Sequence, residues 1–113
     1  VDLDSLCETD NDVHAGEIET STSLATRPHL VRMDLAEREV QSFSSRYLDF
    51  SARRSVEWYA RTAKISSSGV LGDPTRATPE KGRQMWDVMV RNMVELIEHL
   101  KGLTLEEIHE RRY

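Results

Sequence analysis

The spacing of apolar and polar residues predicts a helix-rich chain, and it is most regular between residues 78 and 102. Apolar residues recur there at steps of three and four, which places them on one face of a helix. They are Trp86, Met89, Val90, Met93, Ile97 and Leu100. Thr78 suits the N-cap, Pro79 the first turn and Gly102 the C-terminal end. We therefore predict an amphipathic helix over 79–101, with its apolar stripe used for core packing.

Two shorter helices are predicted on either side of it. Residues 17–26 contain neither Gly nor Pro and stop before Pro28, and their small polar side chains at 20–23 indicate a tightly packed or ligand-facing helix. Thr104 and Glu107 form a capping-box pattern that opens a final short helix running toward the C-terminus.

The middle of the chain has a weaker pattern. Loose periodicity predicts a helix over 34–48, and residues 56–60, which include Trp58, resemble a short strand. Residues 66–74 are rich in Ser, Gly and Pro and predict a loop, in which Asp73 fixes the tight turn by accepting hydrogen bonds from backbone amides.

Composition limits the function classes. The 113 residues are 38% hydrophobic and 31% charged, a thin core for a self-sufficient domain. A net charge of -5 argues against nucleic-acid binding. Neither a membrane span nor a secretory signal is visible, and the single Cys7 excludes an internal disulfide, so we expect a cytoplasmic chain that avoids membranes.

The negative charge is concentrated at the N-terminus. Residues 1–26 hold seven acidic residues and no Lys or Arg, whereas the remainder has 13 acidic and 15 basic residues. A solvated tail would explain this distribution. A cation site would explain it as well, because a divalent ion offsets the repulsion between carboxylates.

The same region contains the best candidate for catalysis. His14 is suited to proton transfer near neutral pH, and Gly16 allows a sharp turn into the helix that follows. Glu17 and Glu19 are two residues apart and therefore point about 200° apart on a helix, so that only one of them faces a site at His14. From spacing alone this is no metal site, which needs at least three converging ligands.

Two stretches resemble the creatininase (creatinine amidohydrolase) family. Residues 14–21 read His-Ala-Gly-Glu-Ile-Glu-Thr-Ser, and residues 24–31 read Leu-Ala-Thr-Arg-Pro-His-Leu-Val. Residues 69–78, followed by Lys81 and Gly82, are similar to the C-terminal signature of that family. The resemblance implies a three-layer α/β/α fold around a mostly parallel sheet, with a two-metal hydrolytic site that uses zinc, manganese or iron.

The resemblance also assigns roles to individual residues. His14 matches the proton-transfer residue, and Glu19 matches a catalytic glutamate close to the metals, which makes it a candidate metal ligand. Glu17 matches a motif position for which we expect a supporting hydrogen-bonding role. Asn11 and Asp12 are expected to help form the substrate pocket or to support it, and Trp58 is a further candidate.

The chain departs from the family by what it lacks. Family members are much longer, and their N-terminal half carries a Glu-x-His pair and further metal ligands that are absent from residues 1–113. We therefore expect the chain to be the helix-rich C-terminal half of a creatininase-like domain. Its complement would be an N-terminal-half chain or cleavage product, which would supply most ligands of the two metal ions.

The expected function is hydrolysis of an amide or lactam C–N bond, or of a related bond next to a carbonyl, by metal-activated water. The substrate would be a small molecule, and the assembly a homo- or hetero-oligomer. The alternative is a non-catalytic subunit that completes the fold and substrate pocket of a catalytic chain.

Overall fold

The structure is a computed structural model, and it describes residues 2–41 and 61–109. Its three α-helices are α1 (Glu17–Thr26), α2 (Pro79–Lys101) and α3 (Leu105–His109). The predicted bounds of α1 and α2 are confirmed, and α3 lies within the predicted final helix. Short 3-10 turns connect these elements at Asp4–Leu6, Pro28–Leu30, Met33–Leu35, Thr62–Lys64 and Pro74–Arg76.

Local hydrogen bonds explain where α2 and α3 begin. The Thr78 hydroxyl accepts from the Lys81 amide at 3.1 Å, as the N-cap prediction requires. At α3 the Thr104 amide donates to Glu107 Oε2 at 2.7 Å, and the Glu107 amide donates to Thr104 Oγ1 at 3.1 Å. This reciprocal pair confirms the predicted capping box.

The core lies where α1 packs against the first half of α2. Ser21 on α1 and Gly82 on α2 are both buried, and a side chain at Gly82 would overlap the Ser21 carbonyl. Met85 and Val88 extend the buried face of α2, and Leu71 from the preceding loop is only 2% exposed. Among the small polar residues of α1, Ser21 therefore marks close helix packing, one of the two predicted uses.

Extended pairing in the described residues consists of two isolated antiparallel bridges, His14 with Leu71 and Glu39 with Gly72. The predicted helix over 34–48 is wrong for its described part, because residues 33–35 form a 3-10 turn and Glu39 pairs with Gly72 instead. A contact 33 residues away in sequence decides that segment. Residues 42–48 and the predicted strand over 56–60, with Trp58, lie outside the described residues.

The second half of α2 extends beyond the core. Every residue from 90 to 101 is exposed, including most of the apolar stripe. The prediction that the stripe forms the core is therefore wrong: none of its six residues is buried, because α2 buries Gly82, Met85 and Val88 instead. No helix within residues 2–41 and 61–109 has the length and apolar character needed to cross a membrane.

Candidate functional site

His14 lies at the junction between an extended segment and α1, where its backbone is fixed on one side by Leu71. The His14 amide donates to the Leu71 carbonyl at 3.1 Å, and the Leu71 amide donates back to the His14 carbonyl at 2.8 Å. Ala15 then turns the chain through the left-handed region, with a φ of 51°. Non-glycine residues rarely adopt this conformation, which is concentrated at functional sites.

Glu19 holds this turn from the first turn of α1. Its Oε2 accepts from the Ala15 amide at 2.5 Å and lies 3.5 Å from Nδ1 of His14. Both side chains are open to solvent, with 62% of His14 and 61% of Glu19 exposed. A slight side-chain rotation would complete the hydrogen bond, and such contacts in a ligand-free site are often longer than in the reacting complex. His14 and Glu19 thus form a solvent-facing dyad.

Asp12 and Asn11 support the backbone beside this dyad. Asp12 accepts from the Glu17 amide at 2.7 Å and from the Ile18 amide at 3.0 Å, so it caps α1 in place of the N-cap Gly16. Gly16 leaves room for the Asp12 carboxylate, since a side chain there would overlap it. Asn11 has a φ of 55°, and its Nδ2 lies 3.4 Å from the Gln41 carbonyl. The structure gives both residues supporting contacts, and their predicted part in a substrate pocket stays a prediction.

Glu17 is completely buried, and unlike Glu19 it contacts Lys81 and not His14. Its Oε1 lies 2.7 Å from Lys81 Nζ, and its carboxylate accepts from the Thr9 hydroxyl at 2.5 Å and from the Glu8 amide at 3.1 Å. Lys81 also pairs with the Glu8 carboxylate and donates to the Arg76 carbonyl at 3.2 Å. Glu17 therefore fastens residues 7–9 to both helices.

The electrostatics of this cluster follow from burial and pairing. Burial by itself would raise the pKa of Glu17, but the hydrogen bonds from Lys81, Thr9 and the Glu8 amide outweigh burial and hold the pKa below its ordinary value. Burial raises the pKa of the neighbouring Cys7 thiol to about 11, with the Asp12 and Glu17 carboxylates adding to the shift. Cys7 is accordingly a protonated thiol at neutral pH.

Glu39 fixes the loop that carries Leu71. Its carboxylate accepts from the Ser67 amide at 2.7 Å and the Ser68 amide at 3.0 Å, and from the Ser68 hydroxyl. These bonds, led by the Ser68 hydroxyl, lower the pKa of Glu39 to about 2. Asp73 fixes the following turn, as predicted, by accepting from the Thr75 amide at 3.1 Å.

The described residues do not form a metal site by themselves. Within residues 2–41 and 61–109, no three His, Cys, Asp or Glu side chains converge as metal ligands. Carboxylates of the acidic N-terminal region are bound elsewhere: Glu8 and Glu17 pair with Lys81, and Asp12 caps α1. Glu19 is the predicted metal ligand. Its Oε2 is used by Ala15 and His14, while its Oε1 makes no hydrogen bond to the rest of the described chain.

His14 and Glu19 thus lie at the start of α1, next to the Gly72-Asp73-Pro74 turn. The creatinine amidohydrolase family model matches residues 2–97. The chain therefore belongs to the creatininase family.

The chain is similar to two proteins of this family. It is 36% identical over 86 residues to a mycofactocin precursor peptide peptidase of Mycobacterium ulcerans, a match that covers 76% of this chain and 32% of the peptidase. It also superposes on the crystal structure of a putative creatinine amidohydrolase from Bacteroides fragilis, with a TM-score of 0.70 and 31% identity. That match covers 93% of this chain and 41% of the Bacteroides chain.

These comparisons confirm the family and a creatininase-like fold. The described residues contribute mainly helices to it, and the three-layer arrangement and the status of 1–113 as half of a domain stay predictions. The chain spans less than half the length of both relatives.

The family resemblance gave His14 and Glu19 their catalytic roles, but nothing in the sequence analysis predicted Lys81 as the partner of Glu17. The only signal was the Lys81-Gly82 pair in the second family motif, since the two charged residues are 64 positions apart. The role of Glu39 was missed entirely, because the bonds to Ser67 and Ser68 become visible only once the loop is folded.

Proposed function

We propose that this chain forms part of a creatininase-type, metal-dependent hydrolase that cleaves an amide C–N bond in a small molecule or peptide. The observation that carries the proposal is the His14–Glu19 dyad, held on a left-handed turn between the Leu71 bridge and α1. The family membership and the peptidase-named relative support hydrolysis as the reaction class.

In this proposal His14 moves the proton. When its Nδ1–H points at Glu19 Oε2, Nε2 is left to hand a proton to the departing nitrogen or to take one from water. Glu19 fixes the imidazole orientation and tautomer through Oε2 and presents Oε1 to a cation or to a bound water. Divalent metal ions, when bound, would supply the activated water and polarise the carbonyl oxygen.

The proposal includes a complementary polypeptide. One glutamate cannot hold a metal ion, whose binding needs three or more ligands. Since this chain corresponds to 41% of the Bacteroides chain, the ligands would come from the part of the fold that has no counterpart here. An N-terminal-half chain or cleavage product would carry them and would complete the substrate pocket beside His14.

The decisive experiment is the His14→Ala variant, measured in the complex with the complementary polypeptide against a panel of amides, lactams and short peptides. Loss of a general acid–base group is expected to lower kcat by about 100-fold or more. His99→Ala, which removes an exposed histidine from α2, is the matched control and should leave kcat unchanged. Unchanged turnover in His14→Ala would instead support the non-catalytic subunit that completes a partner's pocket.

Metal content tests the second part of the proposal. The isolated chain, dialysed against zinc or manganese, is expected to retain no stoichiometric metal, whereas the complex should retain two ions per site. Elemental analysis of both samples measures this directly. Stoichiometric metal on the isolated chain would contradict the shared site, and a metal-free active complex would contradict metal dependence.

A further inference from the structure

An apolar seam runs along α2 and is exposed from Val90 onward, while at its other end the Trp86 indole donates to the Thr22 carbonyl of α1 at 3.0 Å. The seam consists of Trp86, Val90, Met93, Ile97 and Leu100, which are between 41% and 57% exposed. Their spacing of four, three, four and three residues is the a/d repeat of a helix that pairs with another helix. The buried stripe of α2 is a different one, formed by Gly82, Met85 and Val88, and it meets α1 where Gly82 lies against Ser21. The seam from Val90 to Leu100 stays open.

We propose that the seam binds a second copy of this chain, with the two α2 helices antiparallel about a two-fold axis. This goes beyond the proposed function and does not depend on it. In an antiparallel pair, Met93 would face Ile97 of the second copy and Val90 would face its Leu100. The four seam residues from Val90 to Leu100 then meet apolar residues, whereas Trp86 lies at the end of the contact opposite Thr104. The contact is self-complementary, as a two-fold interface must be.

Charge complementarity fixes this direction. Asp87 and Lys101 flank the seam at opposite ends, both at the e position of the repeat, and e positions face one another in an antiparallel pair. Asp87 makes no ion pair within the described residues, and Lys101 is bound only to Glu98, one turn away on the surface. The antiparallel register brings Asp87 against Lys101 of the second copy at both ends. Parallel helices would instead set Lys101 opposite Leu96 and Asp87 opposite Gly82.

A groove at the Trp86 end of the seam offers a binding place for two further exposed residues, Leu105 and Ile108. It has a volume of about 560 Å³ and is lined by Ser23, Thr26, Arg27, Leu30, Val31 and Trp86. The antiparallel register would bring the end of α2 and the whole of α3 from the second copy to this groove. Leu105 and Ile108 on α3 are 74% and 47% exposed in the single chain, and they would fill it.

Light scattering of the full chain across a wide range of concentrations tests the dimer. The expected mass is twice the 13.0 kDa of one chain. Ile97→Asp should weaken the dimer about 100-fold or more. It should keep its helical circular dichroism signal, because Ile97 is already half-exposed in the monomer. Leu35→Asp, an equally drastic change at an exposed residue away from the seam, is the control and should leave the mass unchanged.

Charge reversal tests the direction. Asp87→Lys and Lys101→Asp should each weaken the dimer by about fivefold or more, and the double variant should recover the wild-type dissociation constant. A wild-type chain that stays monomeric overturns the proposal, even if it binds a complementary polypeptide through the seam. A dimer insensitive to Ile97→Asp does so as well, and single reversals without recovery in the double variant overturn the antiparallel register.

Discussion

At the residue scale, helix geometry places the carboxylates of Glu17 and Glu19 in different environments. Glu17 and Glu19 begin the same helix, yet Glu17 is fully buried against Lys81 while Glu19 is exposed beside His14. The angular separation of two helical positions made it predictable that they would face different environments. Helix geometry alone did not tell which of the two is buried, because that depends on Lys81 in a different helix. Only the family resemblance gave Glu17 the supporting role.

Lys81→Met tests the weight of the buried ion pair. Without Lys81 the Glu17 carboxylate stays buried and uncompensated, and we expect the free energy of unfolding to fall by about 3 kcal/mol. Arg83→Met is the matched control, since Arg83 pairs only with the exposed Glu80 on the same helix, and its loss should cost about 0.5 kcal/mol or less. Urea unfolding measures both variants. Equal losses in the two variants would contradict a structural role for the Glu17–Lys81 pair.

At the element scale, helices were predictable where their ends are encoded locally. The ends of α2 are set by side-chain and backbone contacts within one turn, at Thr78 and Pro79 on one side and at Gly102 on the other. The start of α3 is set in the same way by Thr104 and Glu107. The segment at Glu39 was mispredicted because its pairing with Gly72 and the serine loop is non-local. Asp12 shows the intermediate case, a helix cap reached from four residues before the N-cap.

Gly82→Ala tests the close approach of α1 and α2. Alanine favours a helix by up to about 1 kcal/mol over glycine, so an exposed site would gain stability. At Gly82 the added Cβ would overlap the Ser21 carbonyl and lie 2.9 Å from Ala25 Cβ, so the helices must separate. We expect a net loss of about 2 kcal/mol in the free energy of unfolding.

Gly102→Ala provides the comparison for that measurement. Its Cβ would meet only the His99 carbonyl, at 3.4 Å, and the backbone already has a helical φ of -79°. The change is expected to be within about 0.5 kcal/mol of wild type in the same urea experiment. A Gly82→Ala chain as stable as Gly102→Ala would show that α1 and α2 tolerate a wider separation.

At the scale of the whole molecule, the acidic N-terminal region is part of the fold. The sequence offered a solvated tail or a cation site as explanations for it. The described carboxylates show a third use: Asp2 accepts from the Ser5 amide, Asp12 caps α1, and Glu8 and Glu17 hold Lys81. Neither composition nor charge counting reveals which partner each of these carboxylates finds.

Because these carboxylates take part in the fold, the free energy of unfolding depends on pH in the acidic range. Folding holds the pKa of Asp2, Glu17 and Glu39 below the ordinary values of 3.8 and 4.5, chiefly through hydrogen bonds from Ser5, Lys81 and Ser68. The unfolded chain therefore binds protons first as the pH falls. The stabilisation is complete above about pH 5 and is lost progressively as the pH falls toward the folded values, which for Glu39 is about 2.

We expect the urea midpoint to be constant from neutral pH to about pH 5 and then to fall steadily toward about pH 3. Glu17→Gln should start from a lower midpoint and fall less steeply, because the amide has no proton to gain. Glu95→Gln, an exposed change on α2 with no ion pair in the described residues, should reproduce the wild-type curve. A midpoint that stays level down to about pH 3 would mean that these carboxylates contribute nothing to folding, and would return the acidic region to the role of a solvated tail.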